Sequence, residues 1–387
     1  MKISLLNPDL STNCLARAHI FAKVLERHYE VEIIGPKFQD RVWDPLDTEE
    51  SSYKAFPGRP FPQFLLQVPR ILKAIEGDIV WVNTPCFTSF GIGIIKKLIS
   101  NRPLILDIAD WEAAFYRHPS EPDIKAWFIT LIKNLKSFVR FPNSYYSILI
   151  NEKLTFLADE ITVSNSFLQR KFGGTIVRHC RNVEDLDPGR YSKHLERERL
   201  QINQQKKVIV FLGTPHPYKG LEDLVEAVDL LGDPRIMLML VGLDQREYSK
   251  KLRVLAERKL GVKNIAIFGR QPFDSIPRFL AASDLVVIPQ KRTIQTIGQL
   301  PAKVFDAMAM AKPIIATAVS DLPEILDGCG WIVEPDNPEQ LAEAIQYVLD
   351  HPAEAEEMGW RAREKCVEKY SWDAMEKILL DIFRKYE

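Results

Sequence analysis

Closely spaced cysteine and histidine residues are absent from this sequence. It has five cysteines among 387 residues, and no two of them form a C-x-x-C pair. Its seven histidines contain no H-E-x-x-H pattern, the spacing that places two metal ligands on one face of a helix. We therefore expect no disulfide framework and no bound metal. Because free thiols persist in a reducing compartment, the cytoplasm is the simplest location.

A long apolar segment and an excess of one charge are also absent. No uncharged run reaches the roughly 20 residues that span a bilayer, and residues 1–7 are too short and too polar for a signal peptide. With 51 basic and 52 acidic side chains the formal net charge is −1, whereas nucleic-acid-binding proteins usually carry a clear basic excess. The sequence therefore predicts neither a membrane-spanning helix nor a nucleic-acid partner.

Short apolar strands alternate with amphipathic helices, and this alternation restarts once along the chain. The predicted strands are residues 3–6, 31–35, 79–82, 104–108, 160–164 and 175–177, then 208–213, 236–242, 265–269, 285–289 and 314–317. Such alternation predicts parallel sheets, so we expect two α/β domains, residues 1–190 and 208–370. Residues 191–207 are dense in charged and amide side chains and are predicted to form the linker.

Residues 300–309, L-P-A-K-V-F-D-A-M-A, are the most informative segment of the chain. Pro301 suits the first turn of a helix, because proline has no backbone N–H to leave unpaired. The amides of Ala302 and Lys303 would then point out of the helix N-terminus, which favours an anion. Lys303 adds a positive charge, and residues 314–317 follow as a buried strand. This pattern predicts a helix start that binds a phosphate group.

The same segment resembles the donor-site motif of the family 4 (group 1) glycosyltransferases, in the branch written L-P-x-K-x-F-[DE]. These are retaining enzymes with the GT-B fold. The resemblance implies an α/β chain of two Rossmann-like domains whose parallel sheets face a central cleft, with a final helix, residues 371–387, crossing back to the N-terminal domain. It also implies transfer of a sugar from a UDP- or GDP-sugar to a hydroxyl of a glycan or lipid-linked acceptor, without a metal or other cofactor.

The loop G-T-P-H-P-Y-K-G that begins at Gly213 resembles the family's G-R-x-x-x-x-K-G loop at the donor diphosphate. Gly213 would let the backbone approach the ligand closely, and Lys219 matches the lysine of that loop. Thr214 stands where the family has an arginine, which removes a bidentate phosphate donor. His216 or Lys303 would then have to compensate.

The resemblance gives Lys219 and Lys303 a catalytic role as well as a binding role. A departing nucleoside diphosphate gains negative charge as the glycosidic bond breaks. Two fixed cations would stabilise that charge and would remove the need for a divalent metal.

Asp306 matches the second acid of the family's E-x7-E motif, which typically holds the ribose hydroxyls of the nucleotide. Leu300 and Ala302 belong to the same predicted donor site. Gly298 occupies the place of the first acid, and Gln299 is a polar substitute beside it. The identity of the transferred sugar is therefore open.

Four further residues are assigned to the donor site or its edge. Arg270 and Gln271 lie in a turn that matches the family's F-x-G-x-[VL] segment beside the nucleotide base. Arg17, one turn into the first helix, matches an arginine that reaches the diphosphate. Asn13 lies in the preceding loop, where its tolerance of a positive φ would replace a glycine of the family, and it is a candidate contact for the acceptor or the sugar.

Asp110 is the strongest candidate near the acceptor. Residues 107–112, D-I-A-D-W-E, resemble the D-x-R-D-x-W-P-E variant of the family, and Asp110 would orient the acceptor hydroxyl or bind the sugar. His118 and Arg181 are further candidates for the acceptor or the sugar. Retaining enzymes of this fold are thought to work by front-side attack, in which the departing phosphate takes the acceptor proton, so no protein nucleophile is expected.

Residues 124–151 combine four basic side chains with many large apolar ones and contain no acidic residue. A segment of this kind can lie on an anionic membrane surface, which would place the protein on the inner face of the cell membrane. A packed pair of helices with outward-facing lysines fits the same pattern.

Two other functions fit parts of the sequence. A non-catalytic protein that binds a nucleotide sugar would account for Thr214, Gly298 and Ala109, which stand where the family has functional side chains. A nucleotide-sugar epimerase with the GT-B fold would need a set of acids or bases for elimination, and the sequence offers no such set.

Overall fold

The computed structural model describes residues 1–43, 46, 53–116 and 141–387. The chain forms two compact units. Unit 1 contains Met1–Arg178 and Met375–Glu387, and unit 2 contains His179–Ala374. Each unit is built on one parallel sheet, so the predicted pair of parallel-sheet α/β domains is confirmed.

Unit 1 is built from buried parallel strands connected by helices. Its strands are β1 (Lys2–Leu6), β2 (Glu30–Lys37), β3 (Tyr53–Pro57), β4 (Ile79–Asn83), β5 (Leu104–Ile108), β6 (Glu160–Val163) and β7 (Thr175–Ile176). Its described helices are α1 (Cys14–Leu25), α2 (Val68–Ala74), α3 (Ile92–Ser100), α4 (Glu112–Phe115), α5 (Tyr145–Lys153) and α6 (Ser166–Phe172). The strand order is β3-β2-β1-β4-β5-β6-β7.

Unit 2 repeats the same construction. Its strands are β8 (Lys207–Leu212), β9 (Ile236–Val241), β10 (Ile265–Phe268), β11 (Leu285–Ile288), β12 (Ile314–Thr317) and β13 (Trp331–Val333), in the order β10-β9-β8-β11-β12-β13. Its helices are α7 (Lys193–Arg199), α8 (Leu221–Leu231), α9 (Glu247–Leu260), α10 (Ile276–Ala282), α11 (Ile294–Ile297), α12 (Lys303–Ala309), α13 (Leu322–Ile325), α14 (Pro338–Asp350) and α15 (Pro352–Lys369). A last helix, α16 (Trp372–Phe383), leads into the final segment of unit 1. Among the described helices, none has the length and apolarity needed to cross a bilayer.

The two faces of the sheet in unit 2 carry separate hydrophobic clusters. Val210 and Leu212 of β8 pack with residues of α12, whereas Ile209 and Phe211 pack with residues of α8. This alternation follows from the period of two in a strand. Because helices cover both faces, the strands appear in the sequence as continuous apolar runs.

The sequence does not predict the edge strands β3 and β13. In β3 only Tyr53 is fully buried, and β13 is three residues long. Short, largely exposed strands lack the apolar run by which the other strands are recognised.

The predicted linker, residues 191–207, is an integral part of unit 2. Its helix α7 contains Arg197, which is 2% exposed. The Arg197 guanidinium donates to the carbonyl groups of Ala282 and Gln204, both at 2.9 Å, and to Asp284 at 2.6 Å. The linker prediction is therefore wrong. The charges in this segment are partly satisfied inside the fold instead of being solvated, and unit 2 begins at His179, not after residue 190.

Helix α16 contributes its apolar face to the core of unit 1. Phe383 is 0% exposed, and its ring centroid lies 5.5 Å from those of Trp81 and Tyr29. Glu376 on the same helix accepts hydrogen bonds from Arg27 and pairs with His28. Residues 375–387 therefore fold as part of unit 1.

A buried ion pair joins α1 to the sheet of unit 1. The Arg17 guanidinium donates to both oxygens of Asp107, at 2.8 and 2.9 Å, and to the Val177 carbonyl at 2.6 Å. Thr162 Oγ1 also donates to Asp107, at 2.7 Å, and Asp107 is 0% exposed. The prediction that Arg17 reaches the donor diphosphate is corrected, because Asp107 at the end of β5 already holds its guanidinium inside unit 1.

Asp107→Asn should destabilise unit 1 strongly, because it leaves the Arg17 guanidinium buried without its counter-charge. Breaking a buried ion pair from one side typically costs about 3 to 5 kcal/mol of unfolding free energy. Urea unfolding followed by circular dichroism measures the loss. The control Asp381→Asn removes an exposed carboxylate paired with Arg384 and should hardly change the transition. Equal effects of the two substitutions would contradict the structural role of the buried pair.

Candidate functional site

The strand order of unit 2 reverses between β8 and β11, which are neighbours in the sheet. In sheets of this kind, ligands bind at the carboxyl ends of the strands where the order reverses. The loop 213–220 follows β8, and Pro289 follows β11. The backbone N–H of Lys291 donates to the Tyr218 carbonyl at 3.0 Å, which fastens the two loops together. This edge of the sheet is the candidate functional site.

Two glycines bring backbone close together at this edge. Gly213 has a φ of +121°, and a Cβ there would lie 3.0 Å from Lys303 Nζ. Gly242, directly after β9, has a φ of +106°, and a Cβ there would lie 2.8 Å from the backbone of Gly213. Other residues rarely adopt such angles, so both positions require glycine.

Lys303, the first residue of α12, carries a buried ammonium group. Among the described residues its Nζ has no hydrogen-bond partner, and it lies 3.6 Å from the centroid of the Phe211 ring. Burial, followed by the nearby positive charge of Lys219, lowers the pKa of Lys303 well below that of an exposed lysine. An amine in this environment gains more than an exposed one from a bound anion.

Lys219 and His216 lie in the loop 213–220, where both are half-buried, as is Thr214. The His216 ring stacks on Tyr218, with centroids 4.9 Å apart and an interplanar angle of 11°. Burial, with the positive charges of Arg246 and Lys219, lowers the pKa of His216 to about 4. His216 is therefore neutral at pH 7, and it can offer a phosphate a hydrogen bond but no positive charge.

Asp306 lies in the first turn of α12 and is bound by Arg181. The Arg181 Nε and Nη2 atoms donate to the two carboxylate oxygens, the second at 3.0 Å, and Nη2 also donates to the Ala302 carbonyl at 2.9 Å. The Asp306 side chain is 20% exposed, and a carboxylate has about four lone-pair sites. Asp306 can therefore accept further hydrogen bonds. Arg181, predicted to contact the acceptor or the sugar, lies against the helix of the predicted donor site.

Leu300 and Ala302 flank Pro301 at the start of α12. The Leu300 side chain is 2% exposed and belongs to the hydrophobic core, so only its backbone is available to a ligand. Ala302 is half-buried and forms the N-cap without a side-chain hydrogen bond. The helix begins after Pro301 rather than at it, because the Val304 N–H donates to the Pro301 carbonyl in a preceding turn.

Arg270 and Gln271 follow β10 directly. Arg270 is exposed, and Gln271 Nε2 donates to the Gly269 carbonyl at 3.4 Å. The Gly242 N–H donates to the carbonyl groups of Phe268 and Gly269, at 3.0 and 3.1 Å, so the turn is held against the end of β9. A cavity of about 380 Å³ opens beside Gly269 and the first turns of α9.

Unit 1 places Asp110 directly after β5, where it is half-buried. Burial, and then the negative charge of Asp110, raise the pKa of the neighbouring Glu112 to about 8. Glu112 is therefore mostly protonated at pH 7. The sequence motif around Asp110 does not single out Glu112, because the motif carries no information on burial.

Two other candidates of unit 1 fare differently. Asn13 has a φ of −63°, so the prediction that it supplies a positive φ is wrong. Helix α1 begins directly after Asn13, and the residue already has helical backbone angles. His118 lies outside the described residues, as do residues 124–140 of the basic, aromatic segment.

Sequence reasoning missed the pairing of Arg181 with Asp306 and the role of Gly242. The first pair is separated by 125 positions, and no motif spacing connects residues so far apart. Gly242 does have a signal, since it ends an apolar strand in the same way as Gly213. Across the described ranges, no group of three or more His, Cys, Asp or Glu side chains could hold a metal ion.

Residues 192–365 match the family model described as glycosyl transferases group 1. One curated relative, the putative colanic acid biosynthesis glycosyl transferase WcaI of Escherichia coli (strain K12), is 29% identical over 177 residues, covering 44% of this chain and 42% of the relative. The chain thus matches less than half the length of that relative. The predicted group 1 domain and the prediction of an enzyme are confirmed at the level of this family, while the L-P-x-K-x-F-[DE] branch stays a prediction.

Solved structures resemble the chain over its full length. The sucrose-phosphate synthase of Thermosynechococcus elongatus has a TM-score of 0.76 at 17% identity, covering 100% of this chain and 99% of that one. Anabaena Alr3699/HepE, solved in complex with UDP and glucose, has a TM-score of 0.77 at 17% identity, covering 99% of each chain. The predicted GT-B fold is confirmed by these similarities.

The His216 ring should titrate near pH 4, well below the ordinary value of 6.5. Its folded pKa is lower than its unfolded pKa, so the unfolded state binds the extra proton between about pH 4 and 6.5. The stability contribution is therefore complete above pH 6.5 and is lost as the pH falls toward 4. NMR titration of the ring protons measures the pKa, and Arg246→Gln should raise it. Titration near 6.5 in the wild type would contradict the description of this loop.

Proposed function

Because residues 192–365 form a glycosyl transferases group 1 domain, we propose that the protein is a retaining glycosyltransferase. It transfers a sugar from a nucleotide diphosphate sugar to an acceptor hydroxyl without a metal ion. The observation that carries this proposal is the buried ammonium of Lys303 beside Gly213, which has no hydrogen-bond partner in the described part of the chain. The retaining outcome rests on the resemblance of residues 300–306 to a retaining branch of the family.

The leaving diphosphate is proposed to bind between Lys219 and Lys303. Both lysines belong to the edge where β8 and β11 end, and the glycine at position 213 leaves Lys303 Nζ accessible from the loop backbone. Negative charge increases on the diphosphate as the glycosidic bond breaks. Preorganised cations in a poorly solvated site stabilise such charge by about 3 to 4 kcal/mol per donor.

The nucleoside is proposed to extend from the diphosphate along α12 and β10. Asp306 would accept the ribose hydroxyls, and the turn with Arg270 and Gln271 would contact the base. HepE, which shares the fold, is described in complex with UDP. Uridine and guanosine are both compatible with the residues of this turn.

The acceptor is proposed to bind to unit 1 near Asp110, with Glu112 protonated beside it. A glycan or a lipid-linked hydroxyl would attack from the side on which the phosphate leaves, and the departing phosphate would take the acceptor proton. The segment 124–151 is proposed as the contact with an anionic membrane, which would bring a lipid-linked acceptor close to unit 1. Its last residues, 141–151, form a turn and the first part of α5.

A second candidate function is non-catalytic binding of a nucleotide sugar. Gly298 and Thr214 favour it, because the family has an acid and an arginine at these places. In the structure Gly298 follows α11 and is buried, so no side chain reaches the donor from this position. Product formation with any acceptor would exclude this second function.

Thermal-shift measurements with UDP, GDP, ADP and their sugars are the direct test of the donor site. A ligand at about 100 times its Kd stabilises the protein by about 2.7 kcal/mol, which is readily detected. Sugar transfer should then persist in EDTA, because lysines neutralise the leaving group. The bound diphosphate should also raise the pKa of His216, since it places an anion near the ring.

Each arm of this experiment contradicts a different part of the proposal. A protein that binds none of the nucleotides lacks the donor site. Strict dependence on Mg²⁺ or Mn²⁺ would mean that the leaving group is neutralised by a metal. An unchanged His216 pKa would place the diphosphate away from the loop 213–220.

Lys219→Ala and Lys303→Ala should each lower kcat/KM by roughly 10²-fold or more, as expected for a lost transition-state donor. Nucleoside affinity should hardly change. Lys303→Met should also raise the melting temperature of the ligand-free protein, because it removes the cost of burying an amine. Steady-state kinetics and calorimetry measure the two effects.

Lys251→Ala is the matched control, since that side chain is 75% exposed and pairs with Glu247. It should leave both kinetics and stability unchanged. Near-wild-type turnover of both Ala variants at Lys219 and Lys303 would contradict their proposed role.

A further inference from the structure

Arg181 binds the donor helix at two points, although it lies far from that helix in sequence. Its guanidinium holds the Asp306 carboxylate through two atoms and reaches the Ala302 carbonyl at 2.9 Å. Its remaining nitrogen, Nη1, donates to the Cys180 carbonyl at 2.7 Å. The Arg181 side chain is 12% exposed. The fork geometry of arginine is matched to a carboxylate in this way, and a lysine would make only a point contact.

The backbone of Arg181 is also fixed. Its N–H donates to the Tyr370 carbonyl at 2.9 Å, and its carbonyl accepts from the Trp372 N–H at 3.0 Å. Tyr370 in turn packs edge-on against Phe305 of α12, with ring centroids 4.8 Å apart. The guanidinium is therefore anchored at its base and cannot follow a movement of Asp306.

Helix α12 has little of its own to fix its first turn. It is seven residues long, and its N-cap residue, Ala302, has no side chain that could cap it. Short helices depend on external contacts for their position. Arg181 supplies such a contact at the N-terminal end, and Arg363 supplies one at the C-terminal end by donating to the Ala309 carbonyl.

We propose that Arg181 is a positioning residue for the donor nucleotide. It holds the Asp306 carboxylate and the first turn of α12 in the orientation in which Asp306 accepts the ribose hydroxyls. This inference rests on the proposed nucleotide site. It replaces the prediction that Arg181 itself contacts the acceptor or the sugar, because its nitrogen donors are engaged with Asp306 and two backbone carbonyl groups.

The inference separates ribose binding from phosphate binding. Pyrophosphate has no ribose, so its affinity depends on Lys219 and Lys303 and not on the orientation of Asp306. UDP or GDP, whichever binds the wild type, requires both. A loss of Arg181 should therefore weaken the nucleotide and leave pyrophosphate almost unchanged.

Isothermal titration of the full chain with pyrophosphate and with the nucleotide tests this difference. Arg181→Met should weaken the nucleotide about tenfold or more, the effect of losing a hydrogen bond to a charged group, with little change for pyrophosphate. Arg181→Lys, which keeps the charge and is the more conservative variant, should recover part of the affinity. With a donor sugar, KM should rise while kcat changes little.

Two further variants identify the route of the effect. In an Asp306→Asn background, Arg181→Met should cause no additional loss of nucleotide affinity, because both changes act on the same contact. Arg363→Met removes the tie at the other end of α12. It should lower the melting temperature but leave the ratio of nucleotide to pyrophosphate affinity at its wild-type value.

The outcomes distinguish the inference from the function on which it rests. A wild type that binds no nucleotide overturns both. A wild type that binds nucleotide, together with an Arg181→Lys variant that binds nucleotide and pyrophosphate equally well or equally poorly relative to the wild type, overturns the positioning role alone. The same result follows if Arg363→Met changes the affinity ratio as much as Arg181→Met.

Discussion

The buried ammonium group of Lys303 is the constraint on which the candidate site depends. Its Nζ has no hydrogen-bond partner among the described residues, and it lies against the Phe211 ring beside a backbone position that only glycine can occupy. Burying an amine in this way costs free energy, and a methionine of similar length would fill the same space. The arrangement becomes favourable when an anion enters, so it is typical of a site completed by its ligand.

Three buried arginines of the chain behave differently. Arg17 in unit 1 and Arg197 in unit 2 both have carboxylate and carbonyl partners, and Arg181 holds Asp306 in the same way. Each of these arginines satisfies its donors within its own unit. Position 303, where a compact charge would face the diphosphate, has a lysine instead, which agrees with the greater freedom of lysine to shift its pKa.

The sequence predicts well those features that depend on local pattern. Apolar runs identify the buried strands, and the spacing from Gly213 to Lys219 and from Leu300 to Asp306 brings the candidate donor residues to one unit. Features that depend on distant partners are not predictable in this way. Arg17 appears as a surface arginine until Asp107 is found beside it, and the charged segment 191–207 appears as a linker until Asp284 is seen to pair with Arg197. The positive φ expected of Asn13 failed because the helix begins directly after it.

The departures from the family pattern are unevenly distributed, and this bears on the choice between an enzyme and a binding protein. Lys219, Lys303 and Asp306, assigned to the phosphates and the ribose, are retained. Gly298 and Ala109 stand where the family contacts the transferred sugar. A protein that had lost catalysis would have no reason to keep a destabilising buried amine at the position of the leaving group, because binding alone is served by contacts that cost less. The altered positions are therefore better explained by a different sugar or acceptor than by the loss of group transfer.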